Sequence, residues 1–267
     1  MPLYPRLAAA LLAAALAATP AAAAEEPADG LTQGGWRFNV APYVWFISVE
    51  GDMTIKGLES EVDASFSDIW NNLNIGFFGR VEAQKGPVAI YGDVIYADLE
   101  MENSIGPLSV DADIDLLVFD FGVAYEAARV LLSDYGRDFP IWLTIEPMLG
   151  GRLYNVEGDL KPQRLAKVSE SETWVDPVIG LRLMSDLTPN WNVRLRGDVG
   201  GFGVASDLTW QAMLGVGYSF GLFGERDATA IFGYRALYDD YQTGSGADKF
   251  AVDATFHGPL LGLSVAF

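Results

Sequence analysis

From Trp36 to Phe267 the sequence alternates with a period of two, and the alternation separates two chemically different faces. In 116–126, Leu117, Phe119, Phe121, Val123 and Tyr125 interleave with Asp120, Gly122, Ala124 and Glu126. In 191–202, Trp191, Val193, Leu195 and Val199 interleave with Asn192, Arg194, Arg196 and Asp198. The stretches 74–85, 141–154, 174–184 and 207–220 repeat the pattern. Successive strand side chains point to opposite faces, so this period is the signature of β-structure.

Ten strands are predicted: 36–49, 74–85, 87–101, 106–126, 139–155, 170–185, 191–203, 207–220, 227–241 and 249–267. A further hairpin over 51–65 would raise the number to twelve. Residues 66–73, FSDIWNNL, predict one or two helical turns with Phe66, Ile69, Trp70 and Leu73 on one face, packed on the rim. QKGP (84–87), DLTPN (186–190) and GLFGERD (221–227) are short turns rich in Gly, Pro, Asn or Asp. Longer, more polar connections, 50–73, 155–170 and 242–248, fall on the other side. The short ENSIG (102–106) and VASD (204–207) break this rule on the long-loop side. The long stretch 127–139 breaks it on the short-turn side, and residue types give no reason for it.

The polar face decides which way such a sheet turns. It carries Arg80, Arg152, Arg182, Arg194, Arg196 and Arg235 against Glu82, Asp93, Asp120, Glu126, Glu146, Asp176 and Asp198. It carries no lysine: Lys56, Lys85, Lys161, Lys167 and Lys249 all sit in turns, loops or strand ends. Water accepts Lys as readily as Arg. A confined polar interior favours Arg, whose planar fork pairs bidentately with carboxylates. A charge facing hydrocarbon costs several kcal/mol, so these residues point inward and form a lumen network while the apolar face meets lipid. The chain is 50% hydrophobic, with 7 Trp, 11 Tyr and 15 Phe. No stretch after the first two dozen residues approaches the ~20 apolar residues of a spanning helix. An antiparallel transmembrane barrel accounts for both observations. Trp36, Trp142, Trp191, Phe220 and Phe267 near the short-turn ends, with Trp45, Tyr96, Trp210, Tyr238 and Tyr241 near the long-loop ends, fit two interfacial girdles. Parity turns Trp142 inward, so it fits the girdle poorly.

The remaining features bound compartment and chemistry. Arg6, the apolar run Leu7 to Ala18 and the alanines at 21–24 read as a secretory signal peptide over 1–24. A short segment, 25–35, then precedes the barrel domain, 36–267. With no Cys there is no disulfide, thiolate site or cysteine nucleophile. The net charge of −19 disfavours nucleic acid and anionic membrane surfaces as partners. No cofactor and no metal site are expected. DADID (111–115) places Asp111, Asp113 and Asp115 on one strand face, but it lacks the glycine and closing Glu of a calcium loop and reads as a solvated strand extension.

WRFNVAPYVWF (36–46), VDASFSDIWNNL (62–73), YGDVIYADL (91–99), RGDVGGFG (196–203) with SDLTWQ (206–211), GYRAL (233–237) and the closing HGPLLGLSVAF together resemble bacterial outer-membrane β-barrel proteins of mostly unassigned function. The resemblance spans nearly the whole chain after 1–24. It implies an exported antiparallel barrel in the outer membrane of a Gram-negative cell, with short periplasmic turns and longer extracellular loops. It also implies a terminal aromatic, Phe267, read as an assembly signal by the barrel-assembly machinery. It carries over no catalytic residue.

The function expected is a structural barrel or a narrow, porin-like channel with a lumen largely filled by arginines and carboxylates, since about eight strands are filled by side chains and 16 to 18 enclose an aqueous pore. Its partners would be outer-membrane lipid and lipopolysaccharide, with no nucleic acid; the oligomeric state stays open. The alternative is a lipid-modifying hydrolase or acyl-transfer enzyme using His257, the one histidine. Ser264 lies seven residues along the same strand, roughly 23 Å away, too far to pair with it.

Overall fold

The structure, a computed structural model, describes residues 35–105, 108–133, 139–162, 168–223 and 227–267. The expected signal peptide lies outside the described residues. Thirteen strands join one antiparallel sheet: β1 (Arg37–Trp45), β2 (Ser48–Ile55), β3 (Leu58–Ala64), β4 (Leu73–Lys85), β5 (Val88–Ile105), β6 (Leu108–Tyr125), β7 (Ala128–Ser133), β8 (Ile141–Pro162), β9 (Val168–Asp186), β10 (Trp191–Gly201), β11 (Leu208–Phe220), β12 (Ala228–Thr243) and β13 (Phe250–Ala266).

Ten of these strands close a barrel. Their order is β1-β4-β5-β6-β8-β9-β10-β11-β12-β13, and β13 returns to β1 with Val40 opposite Val265 and Trp45 opposite Leu260. Closure removes both sheet edges, which hydrocarbon cannot satisfy. This is a transmembrane antiparallel β-barrel, as the alternation predicts. The ten strands meet the ~9–11 residues needed to span a bilayer, from 9 in β1 and 11 in β10 to 22 in β8.

The predicted hairpin over 51–65 forms as β2–β3 but adds no barrel strand. The β1–β2 segment is one path with a break at Phe46 and Ile47: β1 pairs the lower part of β13, and β2 pairs Ala251–His257 above it. The hairpin tip then leans across the mouth, where Lys56 forms an ion pair with Glu170 of β9 and Ile55 faces Gly158 of β8. The predicted helical turns are α1 (Phe66–Asn71). Ser65 caps the amide of Asp68, and the Asp68 carboxylate accepts from the Ser65 amide at 3.0 Å, a reciprocal capping box. Phe66 packs edge-on against Phe46 at 4.9 Å, while Trp70 stays exposed, so the helix sits on the rim. The unexplained stretch 127–139 contains β7, which pairs Ala128 with Ile145 and extends the sheet beyond β6 at the turn rim.

The burial pattern is inverted relative to a water-soluble sandwich. Phe121, Val123, Leu149, Ile179, Leu214, Phe232 and Leu261 face outward and are exposed. Asp120, Arg152, Arg196, Asp198 and Arg235 are buried within. An apolar belt on this scale marks a lipid-facing surface. Trp36 and Trp191 at one rim, and the stacked Trp210–Tyr238 pair at the other, occupy girdle positions. Trp45 and Tyr241 do not. Height alone suggested the girdle, but strand parity turns both inward, where they are 3% and 9% exposed.

Candidate functional site

Each barrel strand presents its inward residues at two levels, and the chemistry changes between them. The lower level is charged. Arg80, Asp93, Asp120, Arg152 and Asp176 lie in one unbroken cross-strand row through β4, β5, β6, β8 and β9. Asp93 therefore faces Asp120 directly, which is repulsive unless a cation intervenes. Arg235 of β12 reaches across from the far wall to both, at 3.4 and 3.6 Å.

Followed residue by residue, the contacts make one alternating chain. Glu146 meets Arg182 at 2.8 Å, and Arg182 meets Glu82 at 2.5 Å. Glu82 meets Arg80 at 2.8 Å, and Arg80 meets Asp93 at 3.6 Å. Past Arg235, Asp120 accepts from Arg152 Nε at 2.6 Å. Arg152 donates to Asp198 at 2.7 Å, and Asp198 accepts from Arg196 Nε at 2.9 Å. Arg196 donates back to Asp120 at 2.9 Å, closing a ring. Five carboxylates and five guanidiniums thus balance in charge, which is the condition for burying them at all. The Arg182–Glu82 and Arg235–Asp93 links join strands on opposite walls, so the chain crosses the lumen rather than following the wall.

Three residues expected in the network stand apart. Glu126 lies at the turn rim, just beyond the end of β6. Asp176 belongs to the row, but its carboxylate accepts from the Ser206 amide at 2.8 Å and the Ser206 hydroxyl at 2.6 Å. The short VASD connection tucks inward to reach it, with Gly201 at φ 85° making the turn that only glycine takes easily. Arg194 lies one inward position below Arg196, and its guanidinium has no hydrogen-bond or ion-pair partner among the described residues.

Sequence reasoning did not pick out three aromatic partners of this level. Tyr43 donates to Asp93 at 2.7 Å and accepts from Arg235 at 3.0 Å. The Tyr91 ring lies under Arg80, Arg196 and Arg182 at 4.7, 5.4 and 5.6 Å, a cation–π seat for three guanidiniums. The Trp45 ring holds Arg235 at 5.0 Å. Their inward parity was the available signal.

The upper level is mainly apolar, with the carboxylate of Asp239 buried in it and accepting from the Ser206 hydroxyl at 3.2 Å. Ile95, Val118, Tyr154, Val156, Trp174, Leu237, Tyr241, Phe250 and Val252 form a buried cluster drawn from six strands. Trp174 stacks on Tyr241 at 4.0 Å and on Tyr154 at 4.9 Å. Below the charged chain, a cavity of about 500 Å³ reaches the turn rim, lined from Arg37, Gln84 and Asp227 upward to Met213, Arg235 and Leu260. A separate cleft of about 250 Å³ at the loop rim is lined by Asp113, Asp115, Glu157, Asp159 and Glu170, and shares no lining residue with the first. The Asp111 side chain lies outside the described residues. No group of three metal-ligating side chains occurs among the described residues.

His257 is on the outer face. Its Nδ1 lies 2.7 Å from the Tyr234 hydroxyl and its Nε2 lies 3.5 Å from Glu50. Ser264 faces the lumen and donates to Asn39 at 2.9 Å. The two are on opposite sides of the wall, so Ser264 is not the partner of the histidine; the Tyr234 hydroxyl is.

No protein-family model matches the chain, and no curated protein matches it. Among solved structures, the chain is similar to the attachment invasion locus protein Ail of Yersinia pestis, with 10% identity over 88% of this chain and 100% of that one and a TM-score of 0.38. It is similar to Neisserial surface protein A, with 13% identity over 87% and 99% of the two chains and a TM-score of 0.35. It is also similar to the translocator domain of the autotransporter NalP from Neisseria meningitidis, with 13% identity over 88% and 90% and a TM-score of 0.35.

Proposed function

We propose that this protein is an integral barrel of the bacterial outer membrane whose lumen is closed, with a structural role and a blind vestibule in place of a through-channel. One observation carries the reading: the alternating chain from Glu146 to Arg196 spans the lumen from wall to wall, and the Trp174 cluster sits directly above it. An ion crossing the barrel would have to break buried charge pairs and then enter a dry aromatic layer, and each step costs several kcal/mol. In this reading the rim carrying Arg37 and Phe267 is periplasmic, the β2–β3 hairpin and α1 face outward from the cell, and residues 1–24 direct export. The exposed belt contacts outer-membrane lipid and the loop rim contacts lipopolysaccharide. Planar-bilayer recording of the purified barrel tests this: no conductance steps are expected, and reproducible unitary steps would overturn it. Gel migration supplies the companion test of the barrel itself, with unboiled and boiled samples running differently in detergent.

A further inference from the structure

The vestibule below the charged chain has a sign opposite to that of the whole protein. Seven arginines and four carboxylates line it, in a chain whose net charge is −19. The difference is a local excess of three positive charges, gathered in a concavity where low-dielectric walls focus the field. Most of the lining arginines are held by the alternating chain. Arg194 is not. It is partly buried on β10, it lines the cavity, and no acceptor among the described residues fills its five donors. It feels Arg80 and Arg182 as well as Glu82 and Asp186. Two further donors, Arg182 Nε and Arg235 Nε, are buried on the same cavity wall without acceptors.

The two buried donors without acceptors are costly to the empty protein, and an oxyanion in the vestibule meets the free fork of Arg194 with the bidentate geometry that arginine is built for. The upper end of the cavity supplies Met213, Ile231 and Leu260, apolar surface for the body of a ligand whose head is charged. We propose that the turn-rim vestibule is a binding site for a small organic anion bearing a carboxylate or phosphate group, with Arg194 as its principal contact. The anion enters from the rim that carries the chain's folded ends and stops beneath the charged chain. The proposal rests on the closed-lumen reading only for the blind end of the cavity.

The test uses the full barrel refolded in an uncharged detergent, titrated calorimetrically at fixed ionic strength with sodium phosphate, sodium hexanoate and, as the reference, sodium chloride. Saturable binding of phosphate or hexanoate is expected, and which of the two binds separates a phosphate ligand from a carboxylate one. Arg194→Gln should weaken that binding about tenfold or more, the scale of one lost charge-assisted contact. Arg194→Lys should retain part of it, more than Arg194→Gln and less than wild type, because the charge stays and the bidentate fork is lost. The empty Arg194→Gln barrel should unfold at the same or a higher temperature than wild type, as a functional charge differs from a structural one. A second measurement needs no variant: phenylglyoxal should label Arg194 in the wild-type barrel, read by peptide mass spectrometry, and the bound anion should protect it. Binding no better than chloride, unchanged binding by Arg194→Gln, or labelling without protection would overturn the proposal. A barrel that conducts and still binds overturns the closed-lumen reading alone; one that neither conducts nor binds overturns this proposal alone.

Discussion

Phe267 and Phe38 exchange both of their backbone hydrogen bonds, at 2.8 and 3.1 Å, and so fasten the last residue of the chain to its first strand. The pair sits at the rim where β13 meets β1. The backbone of the final residue thus serves closure directly, since it completes the ladder that leaves no edge in lipid. Deleting Phe267 removes both bonds and shortens the outward row of β13. The expected result is a lower yield of the unboiled, fast-migrating form on refolding and in cells, with normal unfolding behaviour for whatever barrel does form. Full yield without Phe267 would show that closure does not depend on it.

Gly258 marks the point where β1 gives way to β2. A Cβ there would stand 1.9 Å from the Phe46 carbonyl oxygen, a backbone atom that cannot move aside. The Gly258 carbonyl also accepts from the Trp45 indole at 3.1 Å, so the break and the inward turn of Trp45 share one residue. Gly258→Ala should therefore cost more than the ~1 kcal/mol of an ordinary strand glycine change. Its urea midpoint should fall clearly below that of Gly262→Ala, whose added Cβ would meet Tyr43 Cβ at 3.0 Å and the Pro42 carbonyl oxygen at 3.3 Å, both far looser than 1.9 Å. Equal midpoints would contradict the close approach.

Arg152 is fully buried and bonds Asp120, Asp198 and Thr209. Arg152→Met keeps most of the volume and leaves Arg196 as the one cation shared by Asp120 and Asp198, with Arg235 3.6 Å from Asp120 and Gln211 donating to Asp198 at 3.2 Å. Removing one member of a buried pair costs about 3–5 kcal/mol, because the charge left behind stays desolvated. Pairing the change with Asp120→Asn restores the charge balance, and the double variant should recover a substantial part of that loss. Urea unfolding followed by tryptophan fluorescence measures both. Additive destabilisation would mean that the two residues act independently.

The capping box on α1 gives a pH-dependent handle outside the barrel wall. The Ser65 hydroxyl and amide hydrogen-bond the Asp68 carboxylate and hold its pKa below the usual value. A depressed carboxyl stabilises the folded form above its ordinary pKa, and that contribution disappears as pH falls through the lowered folded value. Hydrogen exchange at the Asp68 and Ile69 amides should quicken, relative to intrinsic rates, once pH drops below the ordinary carboxylate range near 4. Ser65→Ala should show the faster exchange already at neutral pH. Protection that is unchanged across this range would mean that the cap does not order the helix.

Strand parity made the wall of the barrel legible, and with it the inward residues, because alternation is a local property. Parity could not show that Arg182 would reach Glu82 or that Arg235 would reach Asp93, since those pairs join strands on opposite walls. Arg194 and Arg196 are equivalent by alternation, yet Arg196 is paired twice and Arg194 has no partner among the described residues, a difference set by height within the lumen. The aromatic layer was written in the sequence and passed over. The inward row changes from Arg152 to Tyr154 and Val156, from Asp176 to Trp174, and from Arg235 to Leu237 and, past the buried Asp239, Tyr241 as each strand climbs. Reading height as a girdle signal hid that change for Trp45 and Tyr241. The β2–β3 hairpin was visible as a period-two segment, but its place over the mouth depends on Lys56 meeting Glu170, a contact between residues far apart in the chain.

Trp174 separates the two barriers of the lumen experimentally. It is 5% exposed and is stacked between Tyr154 and Tyr241. Truncating a buried aromatic leaves a cavity and costs about 3–5 kcal/mol. Trp174→Ala should lower the urea midpoint accordingly and still give no conductance in a planar bilayer, because the alternating chain below it remains intact. Arg182→Ala with Arg235→Ala removes two wall-to-wall links while leaving the aromatic layer, and it too should stay closed. Only the combined variant should produce unitary steps, if it assembles; heat-modifiable migration establishes that it has. Conductance from Trp174→Ala alone would show that the charged layer does not block ions, and the aromatic cluster would then be the sole gate.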